Sequence, residues 1–215
     1  MKKIIIVGAG GFAKELFGYI KHDIKTGFLK NTVVKGFLDI SEESFLKMNV
    51  SSVYLGSEHD YLIEEEDCFL IAIGDVDLRE KVIRGLERKN ATFLTYIYSN
   101  VFIDSSAIIG KGVVICPFSM VNSQAVIGDY SLMNIYTSVA HDSVLGKNSV
   151  LSPYSTLNGN ATAGKNLFMG TRSTILPNVV IGDNCVISAG TLVSKKMDNQ
   201  CMAFNKLRAS YLLKK

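Results

Sequence analysis

From Ile103 to Val193 an apolar residue recurs every six residues without interruption. The stops are Ile103, Ile109, Ile115, Val121, Ile127, Met133 and Val139, then Leu145, Leu151, Leu157, Ala163, Met169, Ile175, Ile181, Ile187 and Val193. Four residues after a stop the side chain is usually small, as at Ser119, Ala125, Ser131, Thr137 and Ser143. One inward aliphatic and one small residue per hexad predict a parallel β-helix, in which each hexad gives a short strand and a corner. A slower period fixes the coil: Ile109-Gly110, Ile127-Gly128, Leu145-Gly146, Ala163-Gly164 and Ile181-Gly182 are spaced by 18 residues. Three hexads therefore close one triangular coil, and the run makes about five coils with no inserted loop. The repeated glycine reads as a corner residue taking φ > 0.

The first 97 residues follow a different rhythm. Lys3 to Val7 reads as a buried strand, Gly8-Ala9-Gly10-Gly11 as a turn and Phe12 to Lys21 as a helix, which is the opening of a βαβ unit. Further strands are expected at Val34–Leu38, Ser52–Leu55, Phe69–Ile73 and Thr92–Leu94, with a helix over Asp77–Lys89. This alternation predicts a small parallel sheet with helices on its faces, a Rossmann-like α/β domain over residues 1–97. A β-helix domain over 98–202 and a tail over 203–215 complete the expected organisation.

Gly8, Gly10 and Gly11 lie where strand gives way to helix, with Ala13 at the third small position, so backbone amides and the helix dipole can face a phosphate. Asp39 closes the second expected strand and Gly74-Asp75 follows the one over Phe69–Ile73, at the edge where a doubly wound sheet receives its ligand. A carboxylate at Asp39 suits hydrogen bonds from a base or ribose. Asp77 is placed to cap the next helix. Arg79, in that helix's first turn, runs against the dipole preference, and a ligand or carboxylate partner is expected for it.

Composition narrows the remaining classes. A chain of 215 residues with 47% hydrophobic residues has enough apolar material for two cores. No apolar run spans a bilayer and no signal peptide is evident, so a cytoplasmic protein is expected. Cys68, Cys116, Cys185 and Cys201 lack metal-like spacing and read as reduced thiols. A net charge of +3 gives no argument for nucleic acid.

His141 is the one histidine of the hexad run, the others being His22 and His59, so a zinc site built from three imidazoles is not expected and no metal is assigned. It sits two residues after the apolar stop Val139, at an outer corner, and Asp142 follows it. Histidine, with an unperturbed pKa near 6.5, can act as a general base near neutral pH. Cys116 and Cys185 fall at repeat positions and are poor nucleophiles.

The hexad run resembles the hexapeptide-repeat acyltransferases. With Val7-Gly8-Ala9-Gly10-Gly11, Gly36-Phe37-Leu38-Asp39, Ala72-Ile73-Gly74-Asp75, Asn134 to Gly146 and Ile187-Ser188-Ala189-Gly190, nearly the whole chain resembles one group of these enzymes. That group is the sugar acetyltransferases of the sialic acid O-acetyltransferase type, which include N-acetyltransferases for UDP-, dTDP- and GDP-linked 4-amino-4,6-dideoxy sugars. The resemblance implies a left-handed β-helix, acetyl-CoA as donor, a homotrimer, and a role in bacterial surface glycan biosynthesis. It also implies that the first domain holds the nucleotide-linked sugar through Gly8, Gly10, Gly11, Asp39, Gly74 and Asp75, and that His141 is the general base beside Asp142 and Asn134. Gly159, Ser188, Ala189 and Gly190 would then meet the coenzyme, with Lys195, Lys196, Lys206 and Arg208 available for its phosphates. Val150 replaces a second histidine of some relatives, and Ala203 to Leu207 replaces their usual Gly-Val-Pro-Ala-Lys. Sialic acid O-acetylation and a noncatalytic nucleotide-sugar-binding trimer remain the alternatives to N-acetylation.

Overall fold

The computed structural model describes residues 1–205. Its first part is a sheet of four parallel strands, β1 (Lys2–Val7), β2 (Thr32–Leu38), β3 (Asp67–Ile71) and β4 (Thr92–Phe93), in the order β2-β1-β3-β4. Helices α1 (Gly11–Lys25), α2 (Glu42–Met48) and α3 (Val76–Arg88) connect them. Ile4 to Val7 of β1 form a continuous apolar run because both faces are covered there. Ile4 and Ile6 pack with Leu16 and Ile20 of α1, while Ile5 and Val7 pack with Val82 and Leu86 of α3.

Three details differ from the sequence expectation. Ser52–Leu55 is not a full strand: Val53 and Leu55 bond to Phe37 in a single bridge, and the pairing turns irregular at Gly56, φ 92°, whose carbonyl accepts the Asp39 N–H. α2 was not anticipated, although Ser41 accepts the Ser44 N–H as its cap, Glu42 and Glu43 fill the first turn, and Phe45 and Met48 are buried. The cap of α3 is Asp75, whose side chain accepts the Leu78 N–H at 2.8 Å, and Asp77 merely follows in the first turn.

The remainder is a parallel β-helix of two-residue strands on three faces. The first face has seven strands from Tyr96–Ile97 to Met202–Ala203, the second six from Phe102–Ile103 to Leu192–Val193, and the third five from Ile108–Ile109 to Val180–Ile181. Each strand pairs with the one 18 residues later, as Val126↔Val144 and Val144↔Val180's neighbour Thr162 illustrate. In the last coil the step shortens to 16, with Val186↔Met202. The apolar stops fill the prism, and the small corner residues turn inward, where Ser131 and Ser143 donate their hydroxyls to the Gly146 and Asn158 carbonyls of the next coil.

The repeated glycines serve the corner in another way than expected. Gly110, Gly128, Gly146, Gly164 and Gly182 do not have positive φ. They are glycine because the next coil lies against them: a Cβ on Gly128 would be 2.5 Å from the Lys147 nitrogen. The left-handed residue comes two positions later, at Gly112, Tyr130, Asn148, Asn166 and Asn184, with φ between 55° and 64°. Asn is the residue other than glycine that tolerates this region best, which accounts for three of the five.

The first domain covers the first face of the prism. Tyr96, Val114, Leu132 and Val150 point outward from it yet are buried in one cluster with Ala13, Leu16 and Phe17 of α1. Tyr96 also donates its hydroxyl to the buried carboxylate of Asp23 on α1, at 2.9 Å. Outward residues of the other two faces stay open, among them Met120, Leu192, Ile108 and Val180.

Arg79 is the polar link across this joint, and its partners are neither a ligand nor a carboxylate. Fully buried, it donates to the Ile71 and Ile73 carbonyls at the end of β3, to the Tyr130 carbonyl and to Asn148 Oδ1 on the prism. The neutral acceptors explain why it tolerates the helix N-terminus, and burial pulls its guanidinium down to about 10, still charged at neutral pH.

Candidate functional site

Two constellations emerge. The first lies at the carboxyl ends of β1 and β3, where the strand order reverses, the usual ligand crevice of an open α/β sheet. Gly8 takes φ 110°, and a Cβ there would sit 3.0 Å from the Ala72 carbonyl, so the turn after β1 and the segment after β3 touch. Gly10 caps α1 with no side-chain hydrogen bond, the helix has no acidic residue in its first turn, and a Cβ on Gly10 or Gly11 would meet no atom within 4 Å. Open backbone amides at a helix start are groups that suit an anion.

Asp39 joins this crevice and also has a structural role. Its Oδ2 accepts the Ala9 N–H at 2.8 Å and its Oδ1 the Ser41 N–H at 2.9 Å. The carboxylate therefore holds the glycine turn in shape, and both oxygens are engaged. Gly74 and Asp75 are exposed at the same edge, with Asp75 holding the start of α3.

The second constellation runs along the edge between the second and third faces. His141 and Asp142 occupy the corner after the strand Ser138–Val139, and Asp142 takes the left-handed conformation at φ 58°. Their side chains meet: His141 Nδ1 lies 2.8 Å from Asp142 Oδ2 while the imidazole stays more than half exposed, at 59%. One coil on, Gly159 lies beneath the ring, and a Cβ there would be 2.6 Å from His141 Nε2. Glycine at 159 is thus the condition for the imidazole to lie along the edge. Lys195 stands exposed at the corner that follows the last strand of the second face, Leu192–Val193, on the same side of the prism.

Asn134 and Ser188-Ala189-Gly190 are on another edge, between the first and second faces, following the strands Leu132–Met133 and Val186–Ile187. Asn134, half-buried, accepts the N–H of Ile135 on its Oδ1 at 2.7 Å. Gly190 has φ 67° and open space where a Cβ would be, and Asn205 donates to its carbonyl. Lys195, Phe204 and Asn205 line a cavity of about 360 Å³ at this end of the prism. Within one chain the second face separates these residues from His141. Val150, in place of a histidine, is buried under the first domain. Lys206 and Arg208 lie outside the described residues.

Cys116 and Cys185 are completely buried, and burial pushes the Cys116 thiol up, so neither competes with the exposed imidazole for chemistry. Among the described residues no helix is long and apolar enough to cross a membrane.

A prism of hexad coils carrying an exposed His-Asp pair, preceded by a glycine-turn α/β domain, is the architecture of a left-handed β-helix acyltransferase. The sequence profile of the PglD N-terminal domain matches residues 3–86. WeeI from Acinetobacter baumannii AYE has a similar structure, with a TM-score of 0.82 and 26% identity, covering 97% of this chain and 99% of that one. PerB from Caulobacter crescentus, solved in complex with CoA and GDP-perosamine, superposes with a TM-score of 0.80 at 26% identity over 94% of this chain and 93% of that one. The acetyltransferase domain of PglB from Neisseria gonorrhoeae FA1090, in complex with acetyl coenzyme A, shares the fold at 21% identity, with a TM-score of 0.79 and coverage of 94% and 95%. No curated protein matches the sequence. The chain is thus similar to sugar acetyltransferases of the hexapeptide type, in sequence over residues 3–86 and in fold over nearly its whole length.

Proposed function

We propose that the chain is an acetyl-CoA-dependent N-acetyltransferase acting on a nucleotide-linked 4-amino-4,6-dideoxy sugar, serving bacterial surface glycan synthesis in the cytoplasm. The observation that carries this reading is the His141 ring, held through Nδ1 by Asp142 and lying over Gly159 on an open edge. With Nδ1–H donated to the carboxylate, Nε2 is the acceptor, and it takes the proton from the sugar's amine as the nitrogen attacks. Acetyl-CoA supplies an already activated thioester, so no covalent enzyme intermediate is needed: the new C–N bond forms as the C–S bond breaks, and the CoA thiolate leaves with the proton that Nε2 took. The bare backbone of Gly159 offers an amide to the developing negative charge, as in an oxyanion hole. GDP-perosamine and CoA in PerB, an amino sugar nucleotide with the spent donor, support the substrate class.

The sugar nucleotide's phosphates belong at the Gly8 to Gly11 turn, where the amides at the start of α1 are open. Asn134 and Ser188-Ala189-Gly190 meet the reacting centre only if a neighbouring copy presents its edge to the His141 edge, and a homotrimer of prisms does this by symmetry. Ser188 to Gly190 and Lys195 then hold the pantetheine and phosphates of the donor, with Lys206 added from the tail.

Two measurements test the reading. A mass-spectrometric screen of UDP-, dTDP- and GDP-linked amino sugars with acetyl-CoA is expected to show a gain of one acetyl group on nitrogen for one of them. Acetylation of a hydroxyl would make this an O-acetyltransferase, and no gain on any acceptor would leave a noncatalytic scaffold. Light scattering is expected to give a trimer, and a fully active monomer would remove the shared site.

A further inference from the structure

The outer flank of α3 carries a cavity that neither constellation uses. Leu78, Lys81, Val82, Gly85, Arg88 and Lys89 recur at three- and four-residue spacing and so form one stripe of the helix. Glu58 and His59 face them, and the space enclosed is about 390 Å³, within the range of small-molecule sites. It lies on the face of the sheet opposite α1, since the α3 residues Val82 and Leu86 pack on Ile5 and Val7.

The cavity has a built wall and an unexplained floor. Lys89 donates its ammonium to the carbonyls of Glu58, His59 and Tyr61, fastening the facing turn to the helix end. Gly85 stands in the interior of α3, where glycine costs about 1 kcal/mol relative to alanine. Nothing within 4 Å would oppose a Cβ there, so packing does not require the glycine. Its effect is to keep the floor open between Leu78 and Val82 on one side and the helix end on the other.

The charges select the ligand. Among the described residues Lys81 and Arg88 have no ion-pair or hydrogen-bond partner, while Glu58, nine-tenths buried, is paired only with His59 Nε2 at 3.3 Å. Three cations against one carboxylate, above an apolar floor, suit an organic anion with a compact apolar body. We propose that this cavity is a binding site for such an anion, an aryl or alkyl phosphate or carboxylate, separate from the sugar-nucleotide crevice and from the His141 edge.

Phenyl phosphate is the probe, with benzamidine as a cation of similar size and inorganic phosphate as the control lacking the ring. Titrations of the full chain followed by heteronuclear NMR are expected to show saturable shifts for residues of α3 and the 57–61 turn with phenyl phosphate, and weaker binding of the other two. Gly85→Leu fills the floor with a better helix former, and this variant should bind phenyl phosphate at least tenfold more weakly. The pair Lys81→Gln and Arg88→Gln provides a second test that leaves the floor intact, and it should also lose at least tenfold. Binding unchanged by both sets of substitutions would locate the phosphate elsewhere, for instance at the Gly8 to Gly11 turn, and overturn the proposal. So would equal binding of benzamidine, or no saturable shifts at α3.

Discussion

The prism and the domain that covers it place chemistry in their structures in opposite ways. In the prism, the second corner position between the second and third faces is occupied in successive coils by Ser105, Ser123, His141, Gly159 and Pro177. Nothing in the coil geometry requires any one of them, because the interior stops and the left-handed residues carry the fold. The proposed base stands at a position that the fold leaves free. In the first domain the same atoms do both: the Asp39 carboxylate that borders the crevice also fixes the glycine turn through Ala9, and Asp75 starts α3 through Leu78. Substitutions should therefore separate activity from stability in the prism and couple them in the first domain.

The joint between the two regions gives the largest expected effect. Arg79→Met keeps an unbranched side chain of similar length but leaves buried acceptors on both sides, Tyr130 and Asn148 on the prism and Ile73 at the crevice, without their donor. The expected cost is about 3 kcal/mol. Denaturant unfolding followed by separate reporters in the two regions should change from one transition to two, with the first domain melting early. A single transition with an unchanged midpoint would show that the apolar contacts of α1 with the first face suffice.

His141→Ala tests the separable side of the comparison. Turnover should fall about a hundredfold or more, with assembly, melting temperature and the affinity for both substrates unchanged. Gly159→Ala should act through the same imidazole, since the added Cβ lies 2.6 Å from Nε2 and must displace the ring, and a loss of about tenfold in kcat is expected. Near-normal turnover in a folded His141→Ala protein would remove the general base from the mechanism.

The coupled side is tested by Asp39→Asn. The amide can still accept one of the two N–H bonds but presents NH2 to the other, at an expected cost of about 1.5 kcal/mol. Because the Ala9 amide loses its anchor, KM for the sugar nucleotide should rise alongside the loss of stability, while KM for acetyl-CoA does not. A rise in KM without any change in stability would mean that Asp39 acts on the ligand directly.

The same division explains what the sequence made legible. Strands of the prism follow from the stops alone, since an inward aliphatic every six residues admits one register. The role of the paired glycines was not legible, because close approach between coils and positive φ both call for glycine, and the left-handed residues Tyr130, Asn148 and Asn166 hide among ordinary polar positions. The signals for α2 were present in Ser41-Glu42-Glu43 and the pair Phe45 and Met48, but the segment is short. The burial of Arg79 had no local trace, since its prism partners lie 51 and 69 residues away and are a carbonyl and an amide. At the site, the pairing of His141 with Asp142 in sequence was visible, but the contact between their side chains depends on the left-handed backbone at Asp142 and was not. Nor was the separation of Asn134 and Ser188 to Gly190 from this pair visible, because it depends on which corner each hexad turns.

The smallest effect, and one confined to the first domain, concerns acid. Asp67 at the start of β3 has a fully buried side chain, and its carboxylate accepts the Glu64 N–H and the Tyr61 hydroxyl, each at 2.8 Å, and the Lys35 ammonium at 2.9 Å. Burial opposes its ionisation, but the bonds from Glu64, Lys35 and Tyr61 outweigh that and hold the carboxyl below the usual carboxylate range. A folded value below the unfolded one means that the stabilisation is present at neutral pH and is lost as the pH falls through the folded value, below about pH 4. The prism interior is aliphatic with neutral hydroxyls and has no counterpart to this carboxylate among the described residues of its core. Lowering the pH from 7 toward 3 should therefore bring down the denaturation midpoint of the first domain before that of the prism, and Asp67→Asn should lower the neutral-pH midpoint and flatten the acid dependence. Parallel loss in both regions, or an undiminished acid slope in the Asp67→Asn protein, would assign the acid sensitivity to other carboxylates and erase this difference between the two regions.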